Sequence, residues 1–208
     1  MTEPTTAITD YLLAAVSLCL GWSILRRDRL EPRMARCFWG WGLVALAFTA
    51  LTGGSYHGFA GWMGEKEGAA LWKSTVYLSG IVDLSMLCGS LMAALGGRWR
   101  RYALAAALAK FIVYAVWMTG HDEFRYVLYD YVPSMLAILL VHALPGSLRK
   151  EPGASWILAG VFLSFVAAGV QFFRLAPHAR FNHNDLYHVI QIGATCLLYR
   201  GARDLRDR

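Results

Sequence analysis

The sequence predicts an all-α membrane protein: a single domain over 1–208 that forms a seven-helix transmembrane bundle, N-terminus outside and C-terminus cytoplasmic. Three observations lead there. Hydrophobic residues make up 57% of the 208 positions, and they fall into runs close to the roughly 20 apolar residues that cross a hydrocarbon layer. The runs cover about 9–25, 37–62, 71–95, 102–119, 126–145, 154–174 and 185–200, separated by short charged or Gly/Pro stretches that leave no room for a soluble domain. The third observation is the placement of charge. Arg26, Arg27, Arg29, Arg33 and Arg36 follow the first run, Arg98, Arg100 and Arg101 the third, Arg149 and Lys150 the fifth, and Arg200, Arg203, Arg206 and Arg208 the seventh. The opposite side holds only Lys66, Lys73, Arg125, Arg174 and Arg180, mixed with acids. Basic residues are retained on the cytoplasmic side, which sets the orientation. The net charge of +6 therefore belongs to alternating loops, and no nucleic-acid partner is expected. Such a chain is an integral multi-pass protein, of the plasma (inner) membrane if bacterial.

The first span follows MTEPTTAITD, which lacks the basic stretch that opens a signal peptide; its arginines come after the apolar run, so the span is expected to be retained. Cys19, Cys37, Cys88 and Cys196 show no paired spacing and read as reduced packing residues. The second span ends in Thr52-Gly53-Gly54-Ser55-Tyr56-His57-Gly58. Gly54 and Gly58 are four apart and share a helix face, which permits close backbone approach. Plain helix packing explains them; so does space for a ligand beside His57.

The third span carries Asp83 near its centre, with Ser79 and Ser90 near the same stripe. A carboxylate at mid-bilayer is expensive and needs a partner inside the bundle. Lys110, at similar depth in the fourth span, offers one. Two roles follow for Asp83: a lock between spans three and four, or an orienter or base for a histidine site. Tyr126 and Tyr131 in the fifth span read as interface anchors, with Asp130 a little deeper; His142, at its inner end, reads as an interface residue without a catalytic role. The sixth span ends in Gln171-Phe172-Phe173-Arg174, where Arg174 reaches for the outer surface. The seventh begins Phe181-Asn182-His183-Asn184-Asp185-Leu186-Tyr187-His188. Asn184 or His183 is expected to cap it, with Asp185 favourable in its first turn. His188, Gln191 and Thr195 recur at steps of four and three, an inward-facing polar stripe.

Five of the six histidines, His57, His121, His178, His183 and His188, map to the outer side. His57 lies roughly 7 Å and His188 roughly 5 Å below the outer boundary at 1.5 Å per residue, and Asp83 about 10 Å deeper. Imidazoles at one depth on different helices suggest a shared polar or metal site. Three neutral imidazoles and a water make a zinc site that supplies hydroxide near neutral pH. A nearby carboxylate manages the proton, and Ser55, Tyr56 or Tyr129 is available to hold a carbonyl oxygen. A substrate that reaches this depth from the side is a lipid. His183 and His188 are five apart, about 140° around an ideal helix, so both serve one ion only if His183 precedes the regular helix.

These positions resemble the CREST superfamily: alkaline ceramidases, the GPI-lipid remodelling hydrolases, and the progestin and adiponectin receptor group. Those proteins have seven spans, a Ser and a His in span two, an Asp in span three and two His in span seven. The resemblance implies zinc on His57, His188 and His183, with Asp83 and Ser55 as the catalytic polar members. Here Gly53 stands one turn before His57, Ser55 is two residues before it, and the span-seven pair reads HxxxxH. The function expected is zinc-dependent intramembrane hydrolysis of lipid amide or ester bonds, ceramidase-like, at an outward-facing site with a membrane lipid as substrate or ligand. Two alternatives stand beside it: a non-catalytic seven-helix protein that binds or senses a lipid, and a small proton-coupled transporter using Asp83 and Lys110. A retinal protein of the usual kind is set aside, because residues 185–200 contain no lysine.

Overall fold

A computed structural model of the chain describes residues 3–28, 32–143, 153–178 and 181–208. Arg29, Arg149, Lys150 and Arg180 of the charge pattern, and the last two residues of the fifth expected span, lie outside them. Among the described residues there are seven α-helices: α1 Pro4–Asp28, α2 Met34–Phe59, α3 Glu65–Ala94, α4 Gly97–Gly120, α5 Phe124–Ala143, α6 Ala154–Phe172 and α7 His183–Ala202. A single 3₁₀ turn, Ala60–Trp62, follows α2. Six of the helices, α1 to α6, are long and apolar enough to cross a membrane, as in a multi-pass membrane protein. At 1.5 Å per residue they measure roughly 28 to 45 Å. The exception is α7, whose apolar residues are interrupted by the polar positions that make it functionally interesting.

Helices begin earlier than the apolar runs do. α1 starts at Pro4 and α3 at Glu65, because polar residues extend a helix without breaking it. Pro4 suits a first turn, where its missing N–H has no intrahelical partner to lose. α7 is capped by Asn182, not by Asn184 or His183: the Asn182 side chain accepts from the backbone N–H groups of Asn184 (2.8 Å) and Asp185 (3.2 Å). Asp185 Oδ2 accepts from the Asn182 backbone N–H at 2.7 Å, closing a capping box. The three-residue spacing from Asn182 to Asp185 overrides the later candidates.

Packing joins α1 to α2, α2 to α3, α3 to α5, α5 to α6, α6 to α7 and α7 back to α1. Six helices thus form a closed ring. α4 stands outside it against α3, and only Ala107, Tyr114 and Met118 of its residues are buried. Lys110 fastens it: Nζ donates to Asp83 Oδ2 of α3 (2.8 Å) and to Asp130 Oδ1 of α5 (2.5 Å). Ser134 adds a hydroxyl to Asp83 Oδ2 at 2.7 Å. Close helix contact elsewhere depends on glycine. A Cβ on Gly153 would sit 2.0 Å from the Gly201 carbonyl oxygen, so α6 and α7 meet there nearly backbone to backbone.

The arginine-rich end of the bundle is tied by the last two residues. Asp207 accepts from the backbone N–H groups of Met34 (2.9 Å) and Ala35 (2.7 Å), capping α2 from a distance in sequence. Arg208 donates to the carbonyls of Met92 and Ala94 at the end of α3. His142 is wholly buried rather than at an exposed interface, and neither ring nitrogen has a hydrogen-bond partner among the described residues.

Candidate functional site

The opposite end of the bundle contains a cavity of about 140 Å³. All six ring helices line it, and α4 does not. Its lower wall is apolar, with Leu13, Leu46, Val82 and Met86; its upper end carries Asp10, His57, Gln171, Asn184, His188 and Gln191.

The polar end is assembled by α1 and α7. His188 Nε2 lies 3.1 Å from Asp10 Oδ1 and Nδ1 lies 3.1 Å from Thr9 Oγ1. The Thr9 hydroxyl donates to the Thr6 carbonyl at 3.0 Å. Its single proton is therefore spent, and Thr9 accepts from His188 Nδ1–H. Nε2 is then the ring nitrogen turned to Asp10 Oδ1. The Asp10 side chain is only 5% exposed, and its second oxygen, Oδ2, has no hydrogen-bond partner among the described residues. Gly54 sets the height of this carboxylate. A Cβ there would come within 2.7 Å of Asp10 Cβ and 3.3 Å of the Ala7 carbonyl oxygen, so only glycine allows α1 to lie this close to α2. Gly54, on the glycine face read from the sequence, is thus a packing surface, while the glycine that lines the cavity is Gly53.

His57 Nδ1 lies 3.3 Å from Glu3 Oε2, and the Glu3 backbone N–H donates to the His57 carbonyl at 3.1 Å. The start of α1 is so pinned to the end of α2. His57 is within electrostatic reach of Glu3, Asp185 and His183, and His188 within reach of His57. On the far wall Trp72 is held by its indole N–H, which donates to the Asp122 carbonyl at 2.6 Å. Beside it, Lys73 Nζ caps the end of α4 through the carbonyls of Met118 (2.6 Å) and His121 (2.9 Å). Ring centroids then step round the cavity: His57 to Trp72 at 6.1 Å, Trp72 to Phe124 at 6.4 Å, Phe124 to Tyr187 at 6.2 Å and Tyr187 to His188 at 5.3 Å.

Of the residues expected to form the site, His57 and His188 line this cavity, as do Ser79, Tyr131, Gln171, Asn184 and Gln191. His183, Ser55 and Asp83 stand elsewhere. His183 is the first residue of α7 and does not line the cavity. Ser55 Oγ donates to the Leu51 carbonyl at 2.8 Å and contacts the Tyr11 hydroxyl at 3.1 Å, also outside the lining. Asp83 is held by Lys110 and Ser134, the locking role of the two expected for it. His121 stacks on Trp117 at 4.2 Å, and His178 is exposed. Of the three histidines that the CREST resemblance assigns to zinc, His188 turns its nitrogens to Asp10 and Thr9, His57 turns Nδ1 to Glu3, and His183 lies outside the cavity lining. Among the described residues no three His, Cys, Asp or Glu side chains are grouped to hold a metal.

Sequence reasoning missed Thr9, Asp10 and Trp72. Asp10 had a signal: it is an acid at the head of the apolar run that follows, and an acid inside a span needs a partner. Comparison with known proteins gives one match. The model of a family of unknown function, DUF6962, matches residues 5–207. No curated protein and no solved structure matches.

Proposed function

The chain belongs to DUF6962, and from its site we propose that it is a membrane hydrolase acting on an amide or ester bond of an amphiphile, with the His188–Asp10 pair moving the proton. The observation that carries this reading is the position of that pair: an imidazole nitrogen 3.1 Å from a buried carboxylate oxygen, in the wall of a largely apolar cavity. A water beside the pair adds its oxygen to the carbonyl carbon as its proton passes to the pair. The proton then goes to the departing nitrogen or oxygen as the old bond breaks, leaving a carboxylic acid and an amine or alcohol. Thr9 keeps the imidazole in one tautomer and one orientation, as a base requires. His57 faces the same space and is available to the developing oxyanion.

The membrane setting supports the choice of substrate. A cavity of about 140 Å³ is close to the roughly 150 Å³ that accommodates one benzene ring. It holds a head group or a bond with its neighbours, and the acyl chain of an amphiphile remains in lipid. We place α7 as a seventh crossing and the histidine end outside, following the arginine distribution.

The test is turnover by the purified full chain in maltoside micelles, read with lipid amides and esters that release a fluorescent amine or alcohol. Hydrolysis that falls at least 100-fold in His188→Ala and is unchanged in His121→Ala is the expected result; loss of one positioned proton-transfer group costs on the order of 10²–10⁴-fold. Equal rates in wild type and His188→Ala overturn the proposal.

A further inference from the structure

The cavity has a surplus of acceptors at its polar end. Among the described residues, two lining atoms are buried without a hydrogen-bond partner, Asp10 Oδ2 and Gln171 Oε1. Gln171 is turned so that its amide N–H donates to Asn184 Oδ1 at 3.0 Å, which leaves the carbonyl oxygen as its free atom. The indole N–H of Trp72 is committed to Asp122, so the ring offers the cavity its π-system. A buried acceptor left unmade costs on the order of 1–3 kcal/mol, and a carboxylate oxygen buried in apolar surroundings costs more. The sequence retains both atoms, and beside them stands an arc of ring faces and edges from His57 through Trp72, Phe124 and Tyr187 to His188. Carboxylate, amide oxygen and aromatic faces around one small volume are the elements that recognise an organic ammonium, by hydrogen bonds to oxygen and cation–π attraction to the rings.

We infer that the polar end of this cavity binds an ammonium group, so that the substrate class is an amphiphile carrying a protonated amine close to its scissile bond. This rests on the reading of the cavity as a substrate site. A metal ion satisfies the same oxygens less well. Zinc draws its ligands to about 2.1 Å, which brings tetrahedral donors to roughly 3.4 Å from one another; the described residues contain no such trio of His, Cys, Asp or Glu. An ammonium donates over about 2.9 Å, which leaves room for acceptors carried by different helices, and Asp10 is on α1 and Gln171 on α6.

The test uses the full chain in maltoside micelles and three probes in calorimetric titration: dodecylamine, a cation at pH 7, dodecanol of equal chain length, and zinc ion. Dodecylamine is expected to bind at least tenfold more tightly than dodecanol. Asp10→Asn should abolish the preference, and Gln171→Glu, which adds a second carboxylate, should widen it at least threefold. The second variant keeps the inference falsifiable if Asp10→Asn fails to fold. Equal binding of amine and alcohol overturns it, as does one zinc per chain that is lost in His57→Ala. Tight amine binding without turnover refutes the hydrolase and leaves this site standing; hydrolysis of uncharged lipids with no preference for an amine does the reverse.

Discussion

Replacing Lys110 by methionine removes the one cation between two carboxylates that have little water around them. The Asp83 side chain is 4% exposed and that of Asp130 8%. Their contacts to Nζ are 2.8 and 2.5 Å. Taking one partner out of a buried ion pair costs about 3–5 kcal/mol, chiefly because the remaining charge is stranded. Lys110 itself is 27% exposed, so water softens the loss and the lower end, about 3 kcal/mol, applies. Around 2–4 °C per kcal/mol for a chain of this size gives a fall of about 6–12 °C in Tm. The assay is loss of the near-ultraviolet circular dichroism of the eight tryptophans on heating in micelles. The triple variant Lys110→Met, Asp83→Asn, Asp130→Asn removes the stranded charges and should recover more than half of the fall. A single variant that melts with the wild type, or a triple variant no better than the single, refutes the lock between α3, α4 and α5. Hydrolysis retained in the triple variant would also separate Asp83 from the chemistry.

Other expectations are local. Gly54→Ala should cost about 1–3 kcal/mol through overpacking and weaken dodecylamine binding, because the new methyl meets Asp10 at 2.7 Å; unchanged melting and binding together would refute the close approach of α1 and α2. Asp207→Ala, which uncaps α2, should lower stability by about 1 kcal/mol and leave the distant cavity's ligand affinity within twofold, checked by melting and titration. Asn182→Ala should cost a similar amount at α7 but reduce turnover as well, since the capped turn carries Asn184 and Asp185 next to the site; a variant with full turnover counts against that coupling. His183→Ala should keep at least half of the wild-type rate, and a loss comparable with His188→Ala would return His183 to the machinery.

The apolar runs made the helices legible, because burial in lipid demands continuous hydrophobicity and nothing else in the chain resembles it. Helix ends were less so. Polar residues such as Glu65 and Lys66 continue α3 beyond its apolar stretch, and hydropathy does not register them. In the site, matched depth identified His57 and His188, since depth is a one-dimensional property of the sequence. Rotation about the helix axis is not, and Asp83 turned toward Lys110 while Asp10 turned inward. Asp10 sits only ten residues from the start of the sequence, just where a span boundary was drawn, and its importance appears only when α7 is seen to lie against α1. Trp72 escaped for a related reason: an aromatic near a span end reads as an anchor, and only its bond to Asp122 aims the ring at the cavity.

The ring of helices is closed by its first and last members, and this orders events during synthesis. Chains emerge N-terminal end first, so α1 is made long before α7. α7 lacks the apolarity of the other six, and it packs against α1 and α6, both of which precede it in the chain. The two halves of the Asp10–His188 pair therefore meet as a final step of assembly. An unfinished chain therefore holds Asp10 without its imidazole partner.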